Sequence, residues 1–333
     1  MSSALDTLQD WIDIPSVTGD EADYGDALVR KLEGLGLDVE RQRLSEGRFN
    51  VLARAGAPEV VFCTHIDTVP PWFGPSRKGD VVYGRGASDA KGPALAMIEA
   101  VRELLADGER RIGFLFTVGE EIDSAGARLA NEELAEPWRP RYTIVGEPTG
   151  NRFVRGHKGI YKCALRARGV AGHSSQDVGP SAIHELIGVA HRILGDGWGE
   201  HPVFGRGTIN LGEIAGGLAA NVVAPEASAE VLVRTVEEPA VVEERLRSHL
   251  GEHVELVSGK GYAPIEFVVP AGADGMIVAF GTDAPFLGRW GRPLLYGPGS
   301  ILDAHTKDEK LTRASLEQAV GDYARTAREC LSE

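Results

Sequence analysis

Thr64-His65-Ile66-Asp67-Thr68-Val69-Pro70 places an imidazole at the end of an apolar run and a carboxylate two residues on. A metal-bound histidine usually donates its other ring proton to a carboxylate, so Asp67 suits a place behind His65; a structural histidine is the plainer alternative. Tyr83-Gly-Arg-Gly-Ala-Ser-Asp89-Ala-Lys-Gly92 is a glycine-rich turn presenting one aspartate just before a helix begins. Glycines before a helix can cradle phosphate, but Asp89 stands where the last glycine of GxGxxG would fall, and a carboxylate there repels phosphate and suits a cation. Glu120 and Glu121 are adjacent acids after a strongly apolar run. Burying both is costly unless one is neutralised by a metal and the other takes protons, while a solvated loop would explain them equally simply. Glu147 in Val145-Gly-Glu-Pro-Thr and His305 after Gly297-Pro-Gly-Ser complete the set. Together these are two imidazoles and four carboxylates, the donors that borderline-hard divalent cations such as zinc prefer. Serine chemistry is disfavoured: there is no GxSxG elbow, and Ser88, Ser174 and Ser300 lack a base partner. The other histidines, His157, His184, His191, His201, His249 and His253, have no comparable contexts and are expected on helix or loop surfaces.

Strands and helices must bring these groups together. Three runs, Glu59 to His65, Arg111 to Glu121 and Tyr142 to Glu147, are continuously apolar before their last residues, as strands covered on both faces are. Helical patterns lie between them over Ala90 to Leu105 and Ser124 to Leu134, after earlier helices over Ser3 to Asp13 and from a Thr18/Glu21 capping-box spacing to Leu35. This α/β order puts the polar groups at the carboxyl ends of strands, where such sheets place their sites. From about Arg155 to Ala263 the pattern becomes α+β, with alternating strands over Ile160 to Arg168, Thr208 to Ile214 and Ala227 to Arg234 and helices over Ser181 to Leu194 and Pro239 to Leu250. The expected organisation is a discontinuous catalytic domain with a central mixed sheet, residues 1–155 and 265–333, interrupted by an inserted α+β domain, residues 156–264. Short strands over Pro285 to Tyr296 and a helix over Leu311 to Leu331 would complete the first domain.

Composition excludes several classes of protein. A chain of 333 residues, 43% hydrophobic and 25% charged, can bury more than one core. The net charge of -14 disfavours nucleic acid. No signal-peptide pattern or membrane-spanning run is visible, which points to a cytoplasmic protein. Cys63, Cys163 and Cys330 form no close-spaced pair and suit burial rather than a disulfide or thiolate site. One segment runs against the acidic background. Between Glu147 and Asp177 there is no acid, while Arg152, Arg155, Lys158, Lys162, Arg166 and Arg168 all fall there. Either a solvated strand face or recognition of an acidic partner accounts for it.

Through HIDTVP, GRGASDAKG, the GEE at Gly119 to Glu121, GEP, GHSS and the late histidine, the chain resembles the metallopeptidase family that includes acetylornithine deacetylase, succinyl-diaminopimelate desuccinylase and carboxypeptidase G. The resemblance implies a zinc-peptidase-like catalytic domain and an inserted ferredoxin-like dimerisation or lid domain. It implies two divalent ions, zinc or cobalt, one held by His65 and Glu147, the other by Glu121 and His305, with Asp89 bridging. It makes Glu120 the general acid/base, Asp67 the residue orienting His65, and His173 of Ala171-Gly-His173-Ser-Ser an oxyanion-stabilising group that reaches a neighbouring subunit of a homodimer. Asn221 and Arg234 match positions that touch the substrate's carboxylate or backbone.

Asp89-Ala-Lys-Gly-Pro, in place of Asp-Met-Lys-Gly, is similar to the hydrolases that release lysine or ornithine from the terminal glutamate of a small acidic amino-group carrier protein. The basic segment, through Arg152, Arg155 and Lys158, would then dock the carrier. Deacylation of small acyl-amino acids is the alternative, and a non-catalytic metal- or peptide-binding relative is a third.

Overall fold

Unbroken apolar runs become strands buried along their whole length: Val60–His65, Ile112–Thr117 and Tyr142–Val145. In the computed structural model, which describes residues 4–333, these three strands lie side by side and parallel. Arg292–Leu295 extends the parallel set beside Tyr142–Val145. An antiparallel hairpin, Asp38–Ser45 with Arg48–Arg54, closes the other side against Ile112–Thr117, so the sheet is mixed. Both faces are covered, which is why the runs do not alternate. Phe62, Phe114 and Phe116 pack on one face with Leu95, Ile98, Val101, Leu316 and Tyr323 from the helices Lys91–Ala106 and Arg313–Ser332. On the other, Val61, Cys63 and Leu115 meet Ala127, Ala130, Trp138 and Trp290. The three cysteines are free and buried.

The chain divides into two compact units. The first comprises residues 1–155, 266–276 and 282–333; the second comprises 156–265 with a short returning piece, 277–281. Within the second unit a four-stranded antiparallel sheet runs in the order Thr208–Gly216, Glu226–Thr235, Gly159–Arg168, Val254–Tyr262. Here the strands do alternate. Tyr161, Cys163, Leu165 and Ala167 point into a core completed by Leu186, Val189, Ile193, Val242 and Leu246 of the helices Ala182–Gly195 and Pro239–Ser248. Val254–Tyr262 is a strand that the sequence pattern does not announce, because Gly259 and Gly261 interrupt it and a bulge shifts its register between Val257 and Lys260. Among the described residues no helix is long and apolar enough to cross a membrane.

Several local expectations are corrected. The Thr18/Glu21 spacing forms no capping box: the helix Ala22–Glu33 begins without a side-chain cap, Glu21 engages Arg48, and Thr18 donates to Asp67. Within Pro285 to Tyr296 only Arg292–Leu295 is a strand, and Ala284–Phe286 is a single 3-10 turn. The closing helix is Arg313–Ser332, capped by Thr312 accepting from the Ser315 amide, because Leu311 belongs to a short strand, Lys310–Thr312. The first helix is Ala4–Ile12; Ser3 lies outside the described residues.

Candidate metal centre

The carboxyl ends of three neighbouring strands supply most of the centre. His65 is the last residue of its strand and pairs in register with Thr117; Gly146 donates to the Cys63 carbonyl one strand over, which sets Glu147 just past that strand's end. Beyond Thr117 the chain turns at Gly119, whose φ of +82° favours glycine, and the Asp123 and Ser124 amides bond back to its carbonyl. That turn carries Glu120 and Glu121. Asp89 sits before the helix Lys91–Ala106, and His305 sits on the Ser300 to Thr306 turn with φ +63°, a left-handed conformation that a non-glycine residue holds only where its surroundings fix it.

Two carboxylate oxygens of one residue organise the geometry. Asp89 Oδ1 lies 3.0 Å from His65 Nε2, and Asp89 Oδ2 lies 3.3 Å from His305 Nε2. Each imidazole faces a second acid: His65 Nε2 is 3.9 Å from Glu147 Oε2, and His305 Nε2 is 3.0 Å from Glu121 Oε1. His65, Asp89 and Glu121 present donor atoms within 4.8 Å of one another, a spacing that can hold a metal ion. His65, Asp89 and Glu147 are buried, and the Glu121 side chain is only 7% exposed, whereas His305 is open at 48%.

The electrostatics fit a cation. Burial pushes Glu120 and Glu147 well above the usual carboxylate range; the charge of Glu147 adds to the effect on Glu120, and those of Asp89 and Glu121 to that on Glu147. Glu121 is raised by the same burial. Carboxylates crowded in this way stay ionised together when positive charge stands between them.

Asp67 does more than the sequence suggests. His65 Nδ1 faces the Asp67 main-chain carbonyl at 2.9 Å, with the carboxylate further off at 3.6 Å. That carboxylate accepts the amides of Glu120 and Glu121, each at 3.2 Å, and the Thr18 hydroxyl at 2.8 Å. One buried acid thus holds the His65 loop and the Glu120-Glu121 turn together.

The second unit holds His173, Asn221, Arg234 and Lys158, whereas Arg152 and Arg155 belong to the first. His173 is exposed, its Nδ1 accepting from the Ser175 hydroxyl at 2.8 Å, and the Ser174 amide donates to the Asn221 carbonyl, so these two positions share a small two-stranded piece. Arg234 is half-buried on Glu226–Thr235. His157, expected on the surface, is fully buried; burial lowers it to about 4, with the Arg234 charge adding to the effect. Of the basic segment, Arg152 and Arg155 are exposed, Lys158 donates to the Arg206 carbonyl and Arg168 pairs with Glu255.

Sequence reasoning missed three residues around the centre. Thr18 is one. Asp283 is buried beside Thr117, whose hydroxyl donates to it at 2.6 Å, and burial pushes it up to about 6. Glu309, four residues past His305, is fully buried against the loop that carries Asp89. A carboxylate in Lys307-Asp-Glu-Lys310 has no sequence feature separating it from its exposed neighbour Asp308.

Comparison with known proteins places this centre in a family. The sequence profile of Peptidase family M20/M25/M40 matches residues 61–329. The chain belongs to that family. As an M20 chain it is a metallo-hydrolase, and the His65, Asp89 and Glu121 donors are its candidate metal site. It is 36% identical to a peptidase M20 domain-containing protein of Schizosaccharomyces pombe, over 94% of this chain and 81% of that one. A probable carboxypeptidase of Aspergillus clavatus is 34% identical, over 99% of this chain and 89% of that one. Among solved structures, a tripeptidase from Staphylococcus aureus superposes with a TM-score of 0.83 at 21% identity, covering 99% of this chain and 98% of that one. The M20 fold, a central mixed sheet with an inserted antiparallel sheet, is common to both.

Proposed function

We propose that this M20 chain is a two-metal exopeptidase that hydrolyses a linear amide whose amine side carries a free carboxylate. The observation that carries the proposal is Asp89, whose two oxygens face two different imidazole-carboxylate pairs, His65 with Glu147 and His305 with Glu121. That arrangement suits a bridging ligand between two ions. The donor set accepts zinc, cobalt or manganese, and zinc is our assignment. Bound ions would polarise the scissile carbonyl and acidify a water. Glu120 is not needed as a ligand in this scheme, and its raised proton affinity suits a group that takes a proton from water and returns it to the departing amine nitrogen. Asp67 fixes the Glu120 amide. Arg234, with Asn221, would receive the substrate's carboxylate through its two-pronged guanidinium. In a homodimer His173 would stabilise the developing oxyanion from the neighbouring subunit. The carboxypeptidase name of the Aspergillus clavatus relative supports the choice of a peptide substrate.

Release of lysine or ornithine from an acidic carrier protein is the narrower reading, and one observation favours it. Arg152 and Arg155 are exposed and have no acidic partner among the described residues, which suits a charged protein docking there. The zinc form should be assayed side by side on dipeptides, tripeptides, carrier-linked lysine, carrier-linked ornithine and acetylated amines. Turnover of the peptides or of the carrier adducts supports the exopeptidase; two bound ions with no amide cleaved would end it. If the carrier is the substrate, replacing Arg152, Arg155 and Lys158 with serine slows its turnover far more than that of a small acyl-lysine, and equal loss would remove the docking role.

A further inference from the structure

The glycine-rich loop that presents Asp89 makes few bonds to its own main chain, yet Asp89 must aim two oxygens at two imidazoles. Glu309 supplies the missing order. Its Oε1 accepts the amides of Gly86, Ser88 and Asp89 at 3.0, 3.1 and 3.1 Å, and its Oε2 accepts Arg85 Nη1 at 2.6 Å. The main chain joins the clamp: Gly84 donates to the Glu309 carbonyl and the Ser88 hydroxyl to the Lys310 carbonyl. A core ion pair would require Arg85 alone. Three amides of one loop converging on one oxygen instead fix that loop's path, as outer hydrogen bonds do for metal ligands.

We propose that Glu309 is a positioning residue that sets the Asp89 carboxylate. Because it stands four residues past His305, it also ties the Asp89 loop to the chain bearing the second imidazole. The proposal rests on the two-metal reading above. A glutamine at 309 cannot serve both sides: whichever way its amide is turned, either Arg85 or the three loop amides face an NH2 group.

The test uses the full chain, stripped with chelator and titrated with Co2+ while its visible absorption is recorded. Wild type should take up two ions. Glu309→Gln should bind them roughly 10–100-fold more weakly, with a changed absorption band, while far-ultraviolet circular dichroism remains that of the folded protein. Arg85→Met/Glu309→Gln removes the unpaired guanidinium and frees the amide oxygen for Gly86, Ser88 and Asp89, so it should regain most of the affinity. Wild-type affinity and spectrum in Glu309→Gln would overturn the clamp. So would loss of the fold in both variants, which would make Glu309 a residue of the fold alone. A wild type that binds no Co2+ would instead sink the two-metal reading, and the clamp with it.

Discussion

Glu120 and Glu121 are chemically identical neighbours that the fold treats differently. Glu121 reaches His305 at 3.0 Å, whereas Glu120 forms no hydrogen bond or ion pair with either imidazole and has its proton affinity raised chiefly by burial and then by Glu147. Both amides are pinned by the same Asp67 carboxylate, so a change of side chain at 120 need not move the turn. Glu120→Gln should therefore cut kcat by roughly 10²–10⁴-fold while metal content, read by atomic absorption, stays at the wild-type level. Metal loss in parallel with activity would make Glu120 a ligand instead. The two imidazoles and four carboxylates of the candidate centre draw notice in the sequence because each follows an apolar strand or a glycine-rich turn. Glu309 and Thr18 were not, since their partners lie 220 and 49 residues away along the chain.

At the scale of elements, the start of the helix Ala22–Glu33 shows what a local pattern cannot see. The Thr18/Glu21 spacing is that of a capping box, yet Glu21 is 1% exposed and takes two bonds from Arg48, at 2.9 and 2.7 Å, joining the helix to the strand Arg48–Arg54. Long-range partners outcompete the cap because a buried carboxylate needs a cation more than a helix end needs an acceptor. Arg48→Met strands that carboxylate and should cost about 3 kcal/mol of stability to urea. Glu21→Gln/Arg48→Met should cost less than the single change, because no charge is left unpaired; a double variant as weak as the single would refute the account. The three parallel strands were legible because their apolar runs are unbroken, as strands buried on both faces are. The hairpin Asp38–Ser45 and Arg48–Arg54 was not, as its outer strand is mostly exposed and charged.

Across the whole molecule, titration separates the two units. The metal-ligating side chains belong to the first, while the second carries the buried His157. His157 falls from an ordinary value near 6.5 to about 4, chiefly through burial. Above pH 6.5 it is neutral in both folded and unfolded chains and contributes no pH dependence. As the pH falls below 6.5 the unfolded chain gains a proton that the folded chain refuses, and stability drops until the folded histidine also protonates near pH 4. The full loss is on the order of 3 kcal/mol. His157→Gln has no such proton to gain. Its stability deficit relative to wild type should shrink steadily between pH 6.5 and 4, as read by hydrogen exchange at the strands Gly159–Arg168 and Glu226–Thr235 with chelator present. The carboxylates of the centre titrate alike in both proteins and cancel in the difference, whose slope therefore belongs to the histidine. A gap that keeps its neutral-pH size down to pH 4 would mean that the folded chain protonates His157 as readily as the unfolded one.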